Sequence, residues 1–146
     1  MHAVPRATGS AQGDLDICDD QSNKRETRNA MGTDTDSMSL DEIGRRLIQK
    51  DTNPLHSGTP LMEASREFLF GRIWKSDLSF REKRLISLTC AAISGHHMPL
   101  ETHVYAALKS GDFTVEELHA FALHVAAYAG FPVGAGTEMM IQKVVA

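Results

Sequence analysis

Five of the seven histidines in this 146-residue chain fall within a short stretch of its second half. They are His96, His97, His103, His119 and His124. An imidazole can donate or accept a proton near neutral pH, because its ordinary pKa is about 6.5. Each of them could equally be a core or surface residue, since perturbed histidines also occur in structural networks. Their concentration predicts acid–base chemistry or stabilisation of an oxyanion.

A metal centre is the weaker interpretation of the same histidines. His96, His97, Glu101 and His103 have suitable ligand atoms. Residues 101 and 103, however, are two apart, and on one helix such side chains point in different directions. The chain contains neither a His-Glu-x-x-His nor a His-x-x-Glu-His element. We therefore expect no metal and no other cofactor.

The two cysteines, Cys18 and Cys90, form neither a disulfide framework nor a metal-binding pattern. Cys90 lies within a predicted helix, where we expect it to be a small buried hydrophobic residue. This use of cysteine favours a reducing, cytoplasmic setting. The net charge of −4 does not indicate nucleic-acid binding. No apolar run is long enough to span a membrane.

Helix starts are marked clearly along the chain. Three capping boxes predict starts; they are Ser39-Leu-Asp-Glu42, Ser79-Phe-Arg-Glu82 and Thr114-Val-Glu-Glu117. Thr59-Pro60 and Pro99 predict two more, with proline opening the helix. A last helix is expected from about Val133 to Val145.

Helix ends and loops are equally clear. Gly111 and Gly130 stand where glycine commonly ends a helix. Asn53-Pro54 and Ser57-Gly58 predict a loop. No segment alternates between apolar and polar residues with a period of two, so the predicted fold class is all-α.

Helical spacing predicts which apolar residues face the core. One buried face is expected from Met62, Phe68, Leu69 and Ile73, a second from Leu85, Leu88 and Ala92, and a third from Leu118, Ala122, Val125 and Ala129. Several helices are also rich in alanine and glycine and are apolar on more than one side, so neighbouring subunits are expected to cover them.

The first 37 residues differ from the rest. They carry 4 basic and 7 acidic side chains and almost no large apolar ones. Such a segment cannot bury enough surface to offset its conformational entropy. We predict a disordered tail at residues 1–37 and one helical domain at residues 38–146.

Three consecutive motifs carry a resemblance to a known family. They are Glu101-Thr-His-Val-Tyr-Ala-Ala-Leu-Lys-Ser-Gly111, Thr114-Val-Glu-Glu-Leu-His119 and His124-Val-Ala-Ala-Tyr-Ala-Gly-Phe-Pro132. From about Met62 to its end, the chain resembles the carboxymuconolactone decarboxylase family, which includes the alkyl hydroperoxidase D proteins. The resemblance implies a bundle of about six helices that assembles into trimers or hexamers, with active sites near the subunit contacts.

One branch of that family is disfavoured by the sequence. Alkyl hydroperoxidase D proteins use a Cys-x-x-Cys pair followed, four residues later, by a histidine. If His103 is that histidine, His96 and Pro99 occupy the two cysteine positions. Without thiols, disulfide-based peroxide reduction is not expected, and the decarboxylase branch is the nearer match.

The resemblance also implies the site residues. It makes His103 a catalytic residue, faced by a glutamate from the preceding helix, which we match to Glu82. Glu82 could equally serve only its capping box. The expected substrate-binding residues are His96, Arg81, Arg84, His124 and Tyr128. The arginines would hold a carboxylate, and His124 and Tyr128, four apart, share a helix face.

Three functions remain open from the sequence. The first is a decarboxylase that converts 4-carboxymuconolactone to 3-oxoadipate enol-lactone and CO2. The second is a cofactor-independent relative that acts on another small acid or in redox defence without the thiol pair. The third is a binding protein that keeps the fold without the activity, because one fold hosts several functions. The expected partners are a small carboxylate or lactone and further copies of the chain.

Overall fold

The computed structural model describes Thr35, residues 37–50 and residues 58–146. Over these residues the chain forms six α-helices and no strand, which confirms the all-α prediction. The helices are α1 (Leu40–Ile48), α2 (Pro60–Phe68), α3 (Phe80–Ile93), α4 (His97–Ser110), α5 (Val115–Ala129) and α6 (Phe131–Val145); a π-helical turn, Leu69–Ile73, continues α2. The predicted tail, apart from Thr35 and Ser37, lies outside the described residues, as do Asn53, Pro54 and Ser57 of the predicted loop.

The capping signals form as the sequence predicts. In each of the three boxes, the serine or threonine hydroxyl accepts from the backbone of the glutamate, and the glutamate accepts in return. Thr59 caps α2, with Pro60 at the first helical position. Gly111 ends α4 at a φ of 73°, a conformation that favours glycine. Because these signals depend only on neighbouring residues, tertiary packing does not override them.

Two predicted helix starts are displaced by two residues. α4 begins at His97, before Pro99, and α6 begins at Phe131, before Val133. A proline is tolerated anywhere in the first turn, because the amide hydrogens there have no partner within the helix. Pro99 therefore located the start of α4 without defining its first residue, and Pro132, expected before the last helix, lies within its first turn.

The predicted buried face of α2 is wrong at two of its positions. Phe68 is 55% exposed and Ile73 is 43% exposed, whereas Phe70 and Trp74 are buried. At Ile73 the reason is the π-helical turn, in which the Trp74 amide donates to the Leu69 carbonyl five residues back; Phe68 precedes this turn. One extra residue rotates the following side chains by about 100° relative to a regular helix, so spacing of three and four no longer identifies the inner face.

Two predictions for α3 are also wrong. Leu85 is 39% exposed, and Cys90 is exposed rather than a buried hydrophobic residue. The inward stripe of α3 instead passes through Phe80, Arg84, Leu88 and Ala92, at intervals of four residues. We did not expect a charged residue within it. On α5, the buried Leu118, Ala122 and Val125, with a partly buried Ala129, confirm the predicted face.

The buried apolar residues form two cores. The larger core joins α3, α4, α5 and α6, with Leu88, Val104, Leu118 and Ile141 fully buried in it. The smaller core joins α1, the π-helical turn and the start of α3, through Ile43, Leu47, Ile48, Phe70, Trp74 and Phe80. Arg84 and His103 lie where α1, α3 and α4 approach one another, and they are therefore positioned by both cores.

The tightest helix crossing involves a glycine. A Cβ atom at Gly134 of α6 would lie 2.3 Å from the Cβ atom of Ala126 on α5, and 2.7 Å from its Cα atom. No real side chain tolerates that distance, so glycine allows the two helices to touch through their backbones. This contact packs α5 directly against α6.

Among the described helices, none combines the length and apolar character needed to cross a membrane.

Candidate functional site

The structure gathers two charged and two aromatic side chains in the surroundings of His103. We call this group the Arg84–His103 cluster; it consists of Trp74, Phe80, Arg84, His103 and Asp112. Arg84 is fully buried on α3. Its guanidinium lies 5.3 Å from the centre of the Phe80 ring and 5.7 Å from that of Trp74. An arginine is suited to such a place, because its planar group packs on aromatic faces while its edge donates hydrogen bonds.

Each of the three nitrogens of the Arg84 guanidinium donates a hydrogen bond. Nε donates to Asp112 Oδ2 at 3.2 Å, Nη1 to the Leu47 carbonyl at 2.5 Å, and Nη2 to the Arg46 carbonyl at 3.1 Å. The two carbonyls belong to the last turn of α1, where helical carbonyls have no partner of their own. Arg84 therefore caps α1 and ties it to α3 and to the segment after α4.

Charge and burial act on Arg84 in opposite directions. Burial lowers the pKa of its guanidinium, and Asp112 raises it again. The Asp112 carboxylate is itself only 13% exposed. Removing either partner would leave a buried charge without compensation, which is strongly unfavourable.

His103 lies beside this buried cation. Its Nδ1 atom is 3.4 Å from Arg84 Nη1, at the long end of hydrogen-bonding distance. Its ring lies nearly parallel to that of Trp74, with centres 6.4 Å apart and an interplanar angle of 13°. Lys83 also contacts Trp74, because its Nζ donates to the backbone carbonyl of Trp74 at 2.7 Å. The imidazole is thus oriented by α3 and by the π-helical turn, although it stands on α4.

Burial is the main influence on the charge of His103. Desolvation, followed by the charge of Arg84, lowers the pKa of this histidine to about 4. Both effects disfavour the imidazolium, because a second positive charge would be desolvated next to the first. The ring is neutral at pH 7.

Glu82 has a different set of described contacts. Its Oε2 atom accepts from the backbone amide of Ser79 at 2.7 Å, which is its part in the capping box. The side chain of α3 that contacts His103 is Arg84, two residues further along. The signal that could have located it is spacing, because residue 84 precedes the buried Leu88 by four and residue 82 does not. A role of Glu82 in orienting His103 remains a prediction.

A groove of about 590 Å³ runs between α3 and α5. We call it the α3–α5 groove; it is lined by Arg81, Leu85, Thr89, Ile93, Phe113, Glu117, Ala120, Phe121, His124, Val125, Tyr128 and Ala129. Three of the predicted substrate-binding residues, Arg81, His124 and Tyr128, are among them. The His124 and Tyr128 rings stack with their centres 5.1 Å apart, as expected for side chains four apart on a helix.

Arg81 lies in the wall of this groove and already has partners. Its Nη2 donates to Glu117 Oε1 at 2.6 Å and its Nε to the Asp112 carbonyl at 2.8 Å. The guanidinium also covers the Phe113 ring at 4.3 Å. Arg81 and Arg84 therefore both contact Asp112, one through its backbone and the other through its carboxylate. The sequence contained no signal for this shared role of Asp112.

The remaining histidines lie elsewhere. His96 Nδ1 is 2.7 Å from the Ser94 hydroxyl at the exposed start of α4. His97 lines a smaller pocket of about 240 Å³. His119 Nδ1 lies 2.9 Å from Glu138 Oε2 and links α5 to α6; the hydrogen bond from His119 is the main reason why the pKa of Glu138 is lowered.

The predicted site residues are therefore divided rather than collected. Arg84 and His103 meet in the cluster, Arg81, His124 and Tyr128 line the groove, and His96 and Glu82 are part of neither. His103 does not line the α3–α5 groove or the smaller pocket. No group of three or more metal-ligating side chains occurs within the part of the chain that is described.

Comparison with known proteins identifies the family of the chain. The model of the carboxymuconolactone decarboxylase family matches residues 59–135, more than half of the chain. The match includes α2 to α5, and with them the cluster and the groove. No individual curated protein and no solved structure matches the chain significantly.

Proposed function

Because the chain belongs to the carboxymuconolactone decarboxylase family, we propose that it is a cofactor-independent lyase that releases CO2 from a small carboxylated, unsaturated lactone. The conversion of 4-carboxymuconolactone to 3-oxoadipate enol-lactone is the reaction that we assign first. The observation that carries the proposal is the neutral imidazole of His103. It lies within the matched region and is held by groups from two other elements.

The reaction asks little of the protein besides positioning and polar stabilisation. When the bond to the leaving carboxylate breaks, CO2 departs and its electron pair spreads through the double bond onto the lactone carbonyl oxygen. The resulting dienolate must be stabilised and then protonated on carbon. Preorganised donors directed at such an oxyanion usually make the larger contribution to the rate, and a positioned acid or base adds to it.

We assign these tasks to side chains of the cluster and the groove. His103 serves as the oxyanion partner or the proton donor, which requires the substrate to reach it from the groove, because His103 itself does not line the groove. Arg81, His124 and Tyr128 bind the substrate. Arg81 is the arginine suited to a carboxylate, since it is exposed in the groove wall whereas Arg84 is buried, and binding would require it to exchange its contact with Glu117 for the substrate. We keep Glu82 and His96 as residues to be tested for roles in orientation and binding. A groove of about 590 Å³ is of the size that small ligands occupy.

The direct test is incubation with 4-carboxymuconolactone while CO2 release is measured. Release by the wild-type protein, and its loss in His103→Gln and His103→Ala variants that remain folded, would support the proposal. Release that is unaffected by either substitution would exclude His103. If no CO2 forms, the protein should be tested for binding of the same lactone and of other small acids by calorimetry. Binding without turnover would identify a binding protein on this fold.

The proposal includes a homo-oligomer, either a trimer or a hexamer. Several large apolar side chains are exposed on α5 and α6, including Leu123 at 72%, Tyr128 at 84% and Phe131 at 79%. An apolar surface of this kind is typical of a face that another subunit covers. Light scattering coupled to size-exclusion chromatography measures the assembly directly. A monomer at micromolar concentration would contradict this part.

A further inference from the structure

Arg84 has a consequence for His103 that follows from hydrogen-bond chemistry alone. An arginine side chain carries only N–H groups and cannot accept a hydrogen bond. An imidazole nitrogen that faces it must therefore present its lone pair. Since Nδ1 is the nitrogen that lies 3.4 Å from Arg84 Nη1, Nδ1 is unprotonated and the single ring proton is on Nε2.

The two alternative states of the ring are both unfavourable here. If the proton were on Nδ1, two N–H groups would point at each other across 3.4 Å. An imidazolium would have the same clash of donors and a second positive charge as well. Of the three protonation states of the ring, the contact with Arg84 favours neutral His103 with the hydrogen on Nε2.

The guanidinium cannot turn away to relieve such a clash. Its contacts with the Leu47 and Arg46 carbonyls and with Asp112 fix its plane. The ring of His103 is restrained in turn by Trp74, which lies parallel to it. Both members of the contact are therefore held by groups on other elements.

We propose that Arg84 is a positioning residue that keeps His103 in the Nε2–H tautomer, so that His103 acts as a neutral hydrogen-bond donor to the developing oxyanion and not as the proton donor. This inference rests on the proposed function, and it chooses between the two roles left open there. A cation at Nδ1 withdraws electron density from the ring and makes the Nε2–H a stronger donor. The role resembles that of neutral histidines that polarise a carbonyl in other enzymes.

The proton balance of the reaction is consistent with this division. Replacing the carboxyl group by hydrogen consumes one proton when CO2 leaves. If neutral His103 supplied that proton it would become an imidazolate, which is far too basic to form at neutral pH. The proton that reaches carbon therefore comes from a donor other than His103, and ultimately from solvent, while His103 only shares its hydrogen with the oxyanion.

The charges that act on the ring are few within the described residues. Arg84 from α3 is the charged group in contact with it. Behind Arg84 lie Asp112, after the end of α4, and Arg46 on α1, and these act on the guanidinium. Burial and Arg84 both lower the pKa of His103. The neutral state should therefore persist through the physiological range.

The test is nuclear magnetic resonance of the wild-type protein with 15N-labelled histidine. A long-range 1H–15N correlation spectrum distinguishes protonated from unprotonated ring nitrogens, and the His103→Gln variant identifies the His103 signals. We expect Nδ1 without hydrogen and Nε2 with it at pH 7, with no change from pH 5.5 to 8. A protonated Nδ1, an imidazolium, or an average of both tautomers would overturn the inference.

Variants assign the effect to Arg84. Arg84→Met removes the donor, and the His103 signals should then average between the tautomers and titrate closer to pH 6.5. Asp112→Asn is the comparison variant: it removes the carboxylate that compensates the buried Arg84 and therefore costs stability, but it keeps Arg84 as the donor that faces His103 Nδ1. In the folded variant the tautomer should be unchanged. If Arg84→Met does not fold, the wild-type spectrum alone decides which ring nitrogen carries the hydrogen.

The tautomer and the activity can fail separately. CO2 release that requires His103, together with a protonated Nδ1, would contradict the role of Arg84 and leave the proposed function standing. The expected tautomer without any CO2 release would contradict the proposed function and leave the effect of Arg84 on the tautomer standing. With activity present, the wild-type kcat should show no titration of His103 between pH 5 and 8, and Arg84→Met should raise the pKa of His103 from about 4, because one of its two causes is removed.

Discussion

The Arg84–His103 cluster and the α3–α5 groove each contain an arginine from α3, and both arginines contact Asp112. One arginine is buried and the other is exposed to solvent. Arg84 is fully buried, whereas the side chain of Arg81, three residues earlier, is 53% exposed. Arg84 bonds to the Asp112 carboxylate and Arg81 to its carbonyl. The two guanidinium groups are chemically the same, but their electrostatic interactions differ in strength, because water screens the charge of Arg81 and not that of Arg84.

The same contrast applies to the histidines. His103 is desolvated and held beside a cation, and its pKa is lowered to about 4. His124 lies in the open groove, stacked on a tyrosine that is 84% exposed. We propose that the cluster holds His103 in one protonation state and that the groove binds a small molecule. Four predictions test this division, beginning with the largest expected effect.

The first prediction compares the two arginines. Arg84→Met should lower the free energy of unfolding by about 3–5 kcal/mol, because it leaves the Asp112 carboxylate and the last carbonyls of α1 without their buried partner. Arg81→Met should lower it by less than about 1 kcal/mol, since exposed ion pairs contribute little. Urea unfolding at pH 7 measures both. Equal losses would show that the two surroundings do not differ as described.

The second prediction compares the two histidines in catalysis. His103→Gln should reduce kcat at least about a hundredfold, the usual effect of losing a positioned acid–base or oxyanion group. His124→Gln should act mainly through KM, because a binding contact is made before as well as during the reaction. Steady-state CO2 release separates the two constants. A larger loss of kcat in the His124 variant would move the catalytic centre into the groove.

The third prediction concerns pH and the buried imidazole. Unfolded His103 takes up a proton near pH 6.5, but folded His103 does so only near pH 4. Between these values the unfolded state binds more protons, so the free energy of unfolding falls as the pH is lowered from 6.5 to 4. The contribution of this residue is about 3 kcal/mol at most.

Denaturant unfolding of wild type and His103→Gln across that range isolates this contribution. The slope between pH 6.5 and 4 should be smaller in the variant. Carboxylates with a lowered pKa, such as Glu101, add their own loss of stability in acid, but they do so equally in both proteins. Identical slopes would mean that His103 is not desolvated.

The fourth prediction concerns the close crossing of α5 and α6 at Gly134. Gly134→Ala should lower the free energy of unfolding by about 1–3 kcal/mol, because the new methyl group forces α5 and α6 apart. Gly136→Ala, on the same helix, is the matched control, since a Cβ atom there meets nothing within 4 Å. It should be neutral or stabilising by up to about 1 kcal/mol. Thermal unfolding of both variants checks the pair, and equal effects would contradict the close crossing.

Much of the fold was predictable because its signals are local. The capping boxes at Ser39, Ser79 and Thr114 and the left-handed Gly111 all form as expected. Each depends on residues within about one helical turn, where backbone geometry leaves few alternatives. The inner face of α5 was predictable for the same reason, since a regular helix carries its spacing unchanged.

The errors occurred where spacing alone had to define a face. At Ile73 a π-helical turn changed the period, and no residue type predicts such a turn; Phe68 precedes the turn and, six residues after Met62, does not share its spacing. At residue 84 the inward stripe contains an arginine, which a search for apolar residues does not detect. A buried arginine is stable only if acceptors reach it, and here they come from α1 and from Asp112, residues distant in the chain.

By itself, the sequence determined an all-α chain with defined helix starts and ends, membership of a family and a histidine on the fourth described helix as the leading candidate for chemistry. Those properties follow from interactions between near neighbours and from matching motifs. Only the tertiary structure decided that Arg84 contacts that histidine, and that His124 and Tyr128 line a groove that His103 does not line. Burial and the direction of a side chain depend on residues far apart in the chain, and it is burial that determines the charge of His103.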